Sequence, residues 1–482
     1  MFLGIDIGTS GVKAVVLDEA GAVVGQGTTA LTVQRPHPLW SEQHPETWWR
    51  ATEAAVGAID PAVRRSVRGV GVAGQMHGAT LLGPDDRPLR PAILWNDGRS
   101  FAECEAMEMA APELRAIAGN IAMPGFTAPK LLWVRDHEPE IFAQVATVLL
   151  PKDYVRLAMT GDKASDLSDS AGTLWLDVGA RRWSDALLGA CGLTEAQMPR
   201  LYEGSEATGI LTVEVAERWG MSRVPVAAGG GDNAAGAAGV GVVKDGDALL
   251  SLGTSGVIFV ATRDFRPNPG RAVHAFCHCL PGLWHQMAVH LSAASCVDWI
   301  ARATGASGAA ELFGRAEQAG PACGPELFLP YLSGERTPHN DPLVRGAFLH
   351  LDNDSDAGRL AQAVLEGVAF AARDMLAALG RSAQPITELD LVGGGSRSVV
   401  WAQIMADVLG VRVHRVEEGE VGAAIGAARL GRLAATGAAP ADVCRKPRRL
   451  QSFEPRPAQR AAYDDAYAHW RKLYPALKEC TS

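Results

Sequence analysis

The tetrapeptide Gly-Thr-Ser-Gly occurs twice, as Gly8-Thr9-Ser10-Gly11 and as Gly253-Thr254-Ser255-Gly256, each time directly after a short apolar run. Glycines admit positive φ and close ligand approach, while successive N–H groups and hydroxyls of such a turn can point inward at phosphate oxygens. Residues 13–17 and 257–261, which follow the two copies, are rich in β-branched types, so each unit reads as strand, turn, strand. A Walker loop or a dinucleotide fingerprint would lead into a helix instead. The plainer alternative is a hairpin turn, which accounts for one copy better than for two.

Two aspartates carry the next signal. Asp6 stands at the end of the first predicted strand, just before the first turn. Beside phosphate a bare carboxylate repels, so its presence fits a Mg²⁺ site, reached directly or through water; the alternative is an aspartate capping its own turn. Asp232 follows three glycines in Ala227-Ala-Gly-Gly-Gly-Asp-Asn-Ala-Ala-Gly236, at the start of a predicted helix where a carboxylate is welcome. There it can orient a sugar hydroxyl and accept its proton during attack on a γ-phosphate. A simple helix N-cap is the other reading.

Gly393-Gly394-Gly395-Ser396-Arg397 follows a predicted strand and opens a helix, a context that suits a nucleotide. Glu417 and Glu418 do not stand where a dinucleotide site wants its acid, so the functional reading is an adenosine-side contact and the alternative a tight turn. Gln75-Met76-His77-Gly78 and Trp95-Asn96-Asp97-Gly98-Arg99 each end a predicted strand with planar hydrogen-bonding groups beside apolar surface, the combination a sugar requires. His274, Cys277, His278, Cys279, His285 and His290 are a dense set of potential metal ligands. In a strand-turn-strand around Pro281-Gly282 they alternate sides, and separate buried roles explain them better than zinc.

The elements that must hold these groups span 482 residues, too many for one core. Two α/β domains are expected, residues 1–245 and 246–482, each opening with strand, turn and strand. Strands are predicted at 3–7, 12–17, 22–28, 67–73, 248–252 and 389–392. Helices are predicted from Pro45, at 128–136 with Thr127 as N-cap, at 185–190, at 360–379 and at 397–409, and a basic stretch at 445–456 precedes a helical end. A net charge of −9 argues against nucleic acid as a partner. With no basic leader and no apolar run near the roughly 18 residues of a spanning segment, a cytoplasmic protein without a membrane partner is expected. Eight scattered cysteines suit reduced thiols.

Together these motifs resemble the FGGY family of carbohydrate kinases, built on the actin-like (ribonuclease H-like) ATPase fold with an interdomain cleft, and most closely its D-xylulose kinases. The resemblance rests on Gly4-Ile-Asp-Ile-Gly-Thr-Ser-Gly-Val-Lys13, Gly74-Gln-Met-His-Gly78, Leu94-Trp-Asn-Asp-Gly-Arg99, Gly229-Gly-Gly-Asp-Asn-Ala-Ala-Gly236, Ser251-Leu-Gly-Thr-Ser-Gly256 and Gly393-Gly-Gly395, in order along nearly the whole chain. Gly125-Phe-Thr-Ala-Pro-Lys-Leu-Leu-Trp133 and Ser333-Gly-Glu-Arg-Thr-Pro338 are similar to further family segments. The resemblance implies ATP and Mg²⁺ as cofactors, D-xylulose as substrate, Asp232 as catalytic base, and Asp6 with Asp232 at the metal. It also implies Met76, His77, Asp232 and Asn233 around the sugar, and Gly8, Thr9, Ser10, Gly253, Thr254 and Ser255 around the phosphates. Gly393 and Gly394 would touch the nucleotide, and a homodimer fits the family. The rivals are a kinase of another ketopentose, polyol or deoxy sugar, and a non-catalytic actin-like nucleotide switch. One segment departs from the pattern: His350 stands where a glycine is expected, and Arg359 replaces a polar or acidic residue.

Overall fold

The computed structural model describes residues 1–320, 323–380, 385–417 and 422–481; Glu418 lies outside them. The strands that position the site are β1 (Phe2–Ile7), β2 (Gly11–Leu17), β3 (Val23–Ala30), β4 (Val70–Gly74), β5 (Ala207–Ile210) and β6 (Pro225–Ala227) in the first half. In the second half they are β7 (Ala248–Leu252), β8 (Gly256–Thr262), β9 (His274–Cys277), β10 (Trp284–His290), β11 (Glu388–Val392), β12 (Arg412–Val416) and β13 (Arg449–Phe453). Four helices matter below: α1 (Thr127–His137), α2 (Pro151–Thr160), α3 (Asp232–Gly239) and α4 (Ala423–Thr436).

The first sheet runs β5-β6-β4-β1-β2-β3 and the second β9-β10-β8-β7-β11-β12-β13. Within them the same five-strand unit recurs. An antiparallel meander, β1-β2-β3 in one and β7-β8-β10 in the other, is extended from its first strand by two parallel strands, β4 and β6 or β11 and β12. Parallel pairing sends successive strands out of the sheet at one edge, and there the motifs collect. Ile7 pairs with Gly74, and the two-residue strand Gly230–Gly231 pairs with Ala73 and Gly74. The segments beginning at Gly8, Gln75 and Asp232 therefore leave side by side. In the second sheet Ser251 pairs with Val392, which brings the turn at Gly253 beside Gly393.

Strands β1, β2, β7 and β8 are largely buried on both faces, whereas the outer strand β3 is mostly exposed; helices cover the buried strands, and one covering helix comes from far away in sequence. Helix α4, of the second half, lies across β1 and β4 of the first sheet and against α3. Contact is close because glycines face it. A Cβ on Gly4 would stand 1.9 Å from the Ala424 carbonyl oxygen, one on Gly71 1.8 Å from that of Ala427, and one on Gly426 1.7 Å from that of Ala235.

Two local expectations need correction. Thr127 is the first residue of α1 rather than its cap, which is Phe126; its hydroxyl donates instead to the His77 carbonyl at 3.2 Å. Asp232 likewise begins α3, whose cap is Gly231, so it is not a helix N-cap. The basic stretch before the C-terminal helices also contains β13, an edge strand pairing with β12; four of its five residues are exposed and Arg449 pairs with Glu388 of β11, so no apolar periodicity marks it in the sequence. His350 has φ +60°, the left-handed backbone that a glycine would adopt freely, and Arg359 pairs with Glu326 at 2.6 Å and Asp352 at 3.1 Å. Among the described residues, no helix is long and apolar enough to cross a membrane.

Candidate active site

A cavity of about 540 Å³ lies where the two sheet edges meet, lined by Asp6, Asp232 and Asn233 from the first half and by Ser251, Gly393 and Gly394 from the second. Its wall is apolar on one side, where Leu249, Val257 and Phe259 face in. Five of the residues singled out by sequence thus share one space. The turns Gly8–Ser10 and Gly253–Ser255 leave the strands that carry Asp6 and Ser251, but are not among the lining residues.

Both carboxyls are raised, and Asp232 adds to the cost of ionising Asp6. Burial, and then the charge of Asp232, push the Asp6 carboxyl up to about 7, against a smaller opposing pull from Lys13. Burial pushes Asp232 up to about 6 despite two hydrogen bonds from Asn233. Those bonds, from the Asn233 backbone N at 2.7 Å and Nδ2 at 2.8 Å, both go to Oδ1 of Asp232, which leaves Oδ2 for a ligand. Asp6 Oδ1 is buried with no hydrogen-bond partner. An orphaned carboxylate oxygen facing a second carboxylate fits a divalent cation. Among the described residues no group of three or more His, Cys, Asp or Glu side chains could hold a metal ion.

His77 sits beside this pair with φ +69°. Its Nδ1–H donates to the Gly172 carbonyl at 2.7 Å, and its ring packs edge-on to Phe126 at 4.8 Å. Burial, with Lys130 second, drives its pKa down to about 3, so the imidazole is neutral and Nε2 is a bare acceptor. The loop is fixed from α1: Lys130, wholly buried, donates to the carbonyls of His77 and Gly125, each at 2.8 Å. Sequence reading found the segment 125–133 but assigned Phe126 and Lys130 no task; a lysine set among the apolar residues of 128–134 was the available signal. Met76 packs under the glycine segment that leads to Asp232, its Sδ 2.9 Å from where a Cβ on Gly231 would stand.

Polar bonds also tie the first turn to the sugar loops. Trp95 Nε1 donates to Thr9 Oγ1 at 2.9 Å, and that hydroxyl donates to Gln75 Oε1 at 2.8 Å. The Thr9 side chain therefore braces loops, leaving the turn's backbone and Ser10 to meet a ligand. The second turn is braced by the following helix, with Ala294 N donating to the Gly253 carbonyl and Ala293 N to that of Thr254, both at 2.9 Å. Asp97 and Arg99 pair with each other at 2.7 Å and are buried, so they shape their loop; Asn96 Oδ1 is buried without a partner. Trp95 and Asn96 line a second cavity, of about 950 Å³, together with Arg336 from the other half.

Models of the FGGY family of carbohydrate kinases match this chain twice, the N-terminal domain over residues 1–239 and the C-terminal domain over residues 248–435. The chain belongs to the FGGY family of carbohydrate kinases. Among its FGGY relatives, the xylulose kinase of Escherichia coli (strain K12) is 57% identical over 439 residues, 90% of each chain. That of Klebsiella pneumoniae is 51% identical over 477 residues, 98% of each. The crystal structure of a xyloylose kinase from Brucella ovis superposes with a TM-score of 0.95 at 53% identity, covering 99% of both chains. The repeated five-strand unit is thus the two-domain, actin-like architecture of FGGY kinases, as the resemblance implied.

Proposed function

We propose that the protein is an ATP-dependent D-xylulose kinase that transfers the γ-phosphoryl group of ATP to the 5-hydroxyl of the sugar. The observation that carries this reading is the half-buried Asp232, with Oδ1 held by Asn233 and Oδ2 free, in one cavity with Asp6 and the Gly393–Gly394 turn. Relatives that are 51% and 57% identical are xylulose kinases, which supports the choice of sugar.

The nucleotide occupies the cavity with its base on the apolar wall near Phe259 and its ribose against Gly393 and Gly394, and the Gly-Thr-Ser turns take the phosphates through backbone N–H groups. Xylulose lies over Met76 and His77. The bare Nε2 of His77 accepts from a sugar hydroxyl, and Asp232 receives the proton of the attacking hydroxyl as its oxygen bonds to phosphorus and the bond to the ADP oxygen breaks. A carboxyl with a pKa near 6 is mostly ionised at neutral pH yet basic enough to share that proton. Asp6 and Asp232 would hold Mg²⁺, which when bound neutralises charge on the transferring phosphates. Positioning and charge complementarity supply most of the rate enhancement. We divide the chain at 245/246, with sugar and phosphate groups before and nucleotide groups after. A cytoplasmic location is supported by eight cysteines that form no disulfide, and the homodimer rests on the family resemblance alone.

The test is sugar-dependent ADP release over a panel of ketopentoses, polyols and deoxy sugars. D-xylulose should give the highest kcat/KM, and another sugar exceeding it tenfold would replace the assignment. Asp232→Asn should lower kcat by about 10²- to 10⁴-fold with ATP still bound. Asp6→Asn should raise the half-saturating Mg²⁺ concentration more than KM for the sugar; an unchanged magnesium titration would remove Asp6 from the metal site.

A further inference from the structure

The segment Ala228–Gly231 carries Asp232 into the cavity and has no side chain larger than a methyl, so nothing within it can fix its path. Gly229 has φ +86°, and a Cβ there would stand 1.9 Å from the Val72 carbonyl oxygen. Whatever holds this loop must come from outside it. Behind the loop lies a set of charges with no exposure to solvent, drawn from the start of α2 and from residues 165–169: Lys152, Asp153, Arg156, Asp166 and Asp169. Lys152 Nζ lies 2.6 Å from Asp153, 2.8 Å from Asp166 and 3.2 Å from Asp169, while Arg156 Nη2 lies 2.8 Å from Asp153.

Arg156 of this cluster and Ser168, which is bonded to it, reach the loop. Arg156 Nη1 donates to the Ala228 carbonyl at 2.6 Å. Ser168 Oγ sends its own proton to Asp166 Oδ2 at 2.5 Å and accepts from the Gly231 backbone N at 3.2 Å. The first and last residues of the glycine segment are therefore gripped, and the second grip is oriented by a chain that runs from Lys152 through Asp166 to the Ser168 hydroxyl. Burial pushes the Asp169 carboxyl well up, against the pull of Lys152. A buried ion cluster of this kind is rarely more stabilising than apolar side chains of equal volume. Its distinctive property is fixed geometry, and the atoms it fixes adjoin Asp232.

We propose that Ser168 and Arg156 are positioning residues for Asp232: they hold the glycine segment at its two ends so that Oδ2 meets the sugar hydroxyl at reactive distance. The proposal rests on the reading of Asp232 as the proton acceptor. A misplacement of about 1 Å can cost on the order of 100-fold in rate, whereas the nucleotide cavity wall near Phe259 does not depend on this clamp.

The experiment compares full-length Ser168→Ala, Ser168→Cys and Asp232→Asn with wild type, measuring kcat, KM for xylulose, KM for ATP and thermal midpoint. Ser168→Ala should lose about 10- to 100-fold in kcat with KM for ATP within about twofold, because the hydrogen-bond acceptor for Gly231 is gone. Ser168→Cys, with similar size and a weaker acceptor, should fall between; it also reads the same ratio should the alanine variant not fold. A kcat within threefold of wild type in the serine variants, beside an inactive Asp232→Asn, overturns the clamp and leaves the base assignment standing. Loss of kcat and both KM values in step with the thermal midpoint overturns it too, since that is the pattern of a merely structural serine. An active Asp232→Asn would show instead that the base assignment itself is at fault, and the proposal falls with it.

Discussion

His77 shows how a single side chain is set for its task by its neighbours. The Gly172 carbonyl takes Nδ1–H, burial keeps the ring neutral, and Nε2 is left as acceptor. Replacing it with alanine removes one hydrogen bond to a neutral sugar, about 0.5–1.5 kcal/mol. KM for the ketopentose should rise several-fold while KM for ATP stays near the wild-type value; equal damage to both in steady-state kinetics would give His77 a folding role. Lys130, which holds the His77 carbonyl, is itself driven well below its ordinary pKa by burial.

At the scale of elements, the contact of α4 with the first sheet and α3 depends on missing Cβ atoms. Gly426→Ala would put a methyl 1.7 Å from the Ala235 carbonyl oxygen, a backbone atom that cannot swing aside. The expected cost is about 1–3 kcal/mol. Gly314, inside the helix Ala309–Ala319, has nothing within 4 Å of the same position, and there alanine should stabilise by up to about 1 kcal/mol. Thermal denaturation of the two variants should therefore move in opposite directions. A Gly426→Ala protein as stable as wild type would mean that α4 can lift from the sheet at no cost.

Two properties belong to the whole molecule. The first is acid sensitivity. His274, His278 and His285, on or beside β9 and β10, are buried, and burial lowers all three, His278 to about 4. The folded state prefers them neutral, while the unfolded chain binds protons near 6.5. Their contribution is thus fully present above 6.5 and is lost as pH falls toward the folded values, at about 1.4 kcal/mol per histidine per pH unit. Asp6 and Asp232, raised to about 7 and about 6, act in the opposite sense, so a difference measurement isolates the histidine part. Between pH 7.5 and 5 the melting temperature of wild type should fall more than that of His278→Gln; parallel curves would exonerate His278. The second property is closure. The turns at Gly8 and Gly253 come from different sheets, so both grip phosphate well only when the lobes approach, which also keeps water from the γ-phosphoryl group. ATP hydrolysis without sugar should be slow, and small-angle scattering should give a smaller radius of gyration with xylulose and a non-hydrolysable ATP analogue bound. An unchanged radius, with no protection from proteolysis near residues 240–247, would argue for a rigid cleft.

Much of the site was legible in the sequence because its parts are local. A glycine turn after an apolar run, a carboxylate at a strand end and a histidine among glycines each declare themselves by type and spacing, and the repeat of Gly-Thr-Ser-Gly declares two lobes. The supporting parts were not legible, because their meaning lies in contacts between distant segments. The apolar pattern of α4 says that it is buried, but not that it crosses to the other half's sheet; Arg156 and Ser168 look like ordinary residues until folding sets them against Ala228 and Gly231. Parallel strand register decides which loops leave a sheet together, and that register is fixed only when helices such as α4 have packed against both faces. The residues proposed to react were therefore written in the sequence, whereas tertiary packing alone decided what holds them, since a glycine segment has no side chains with which to hold itself.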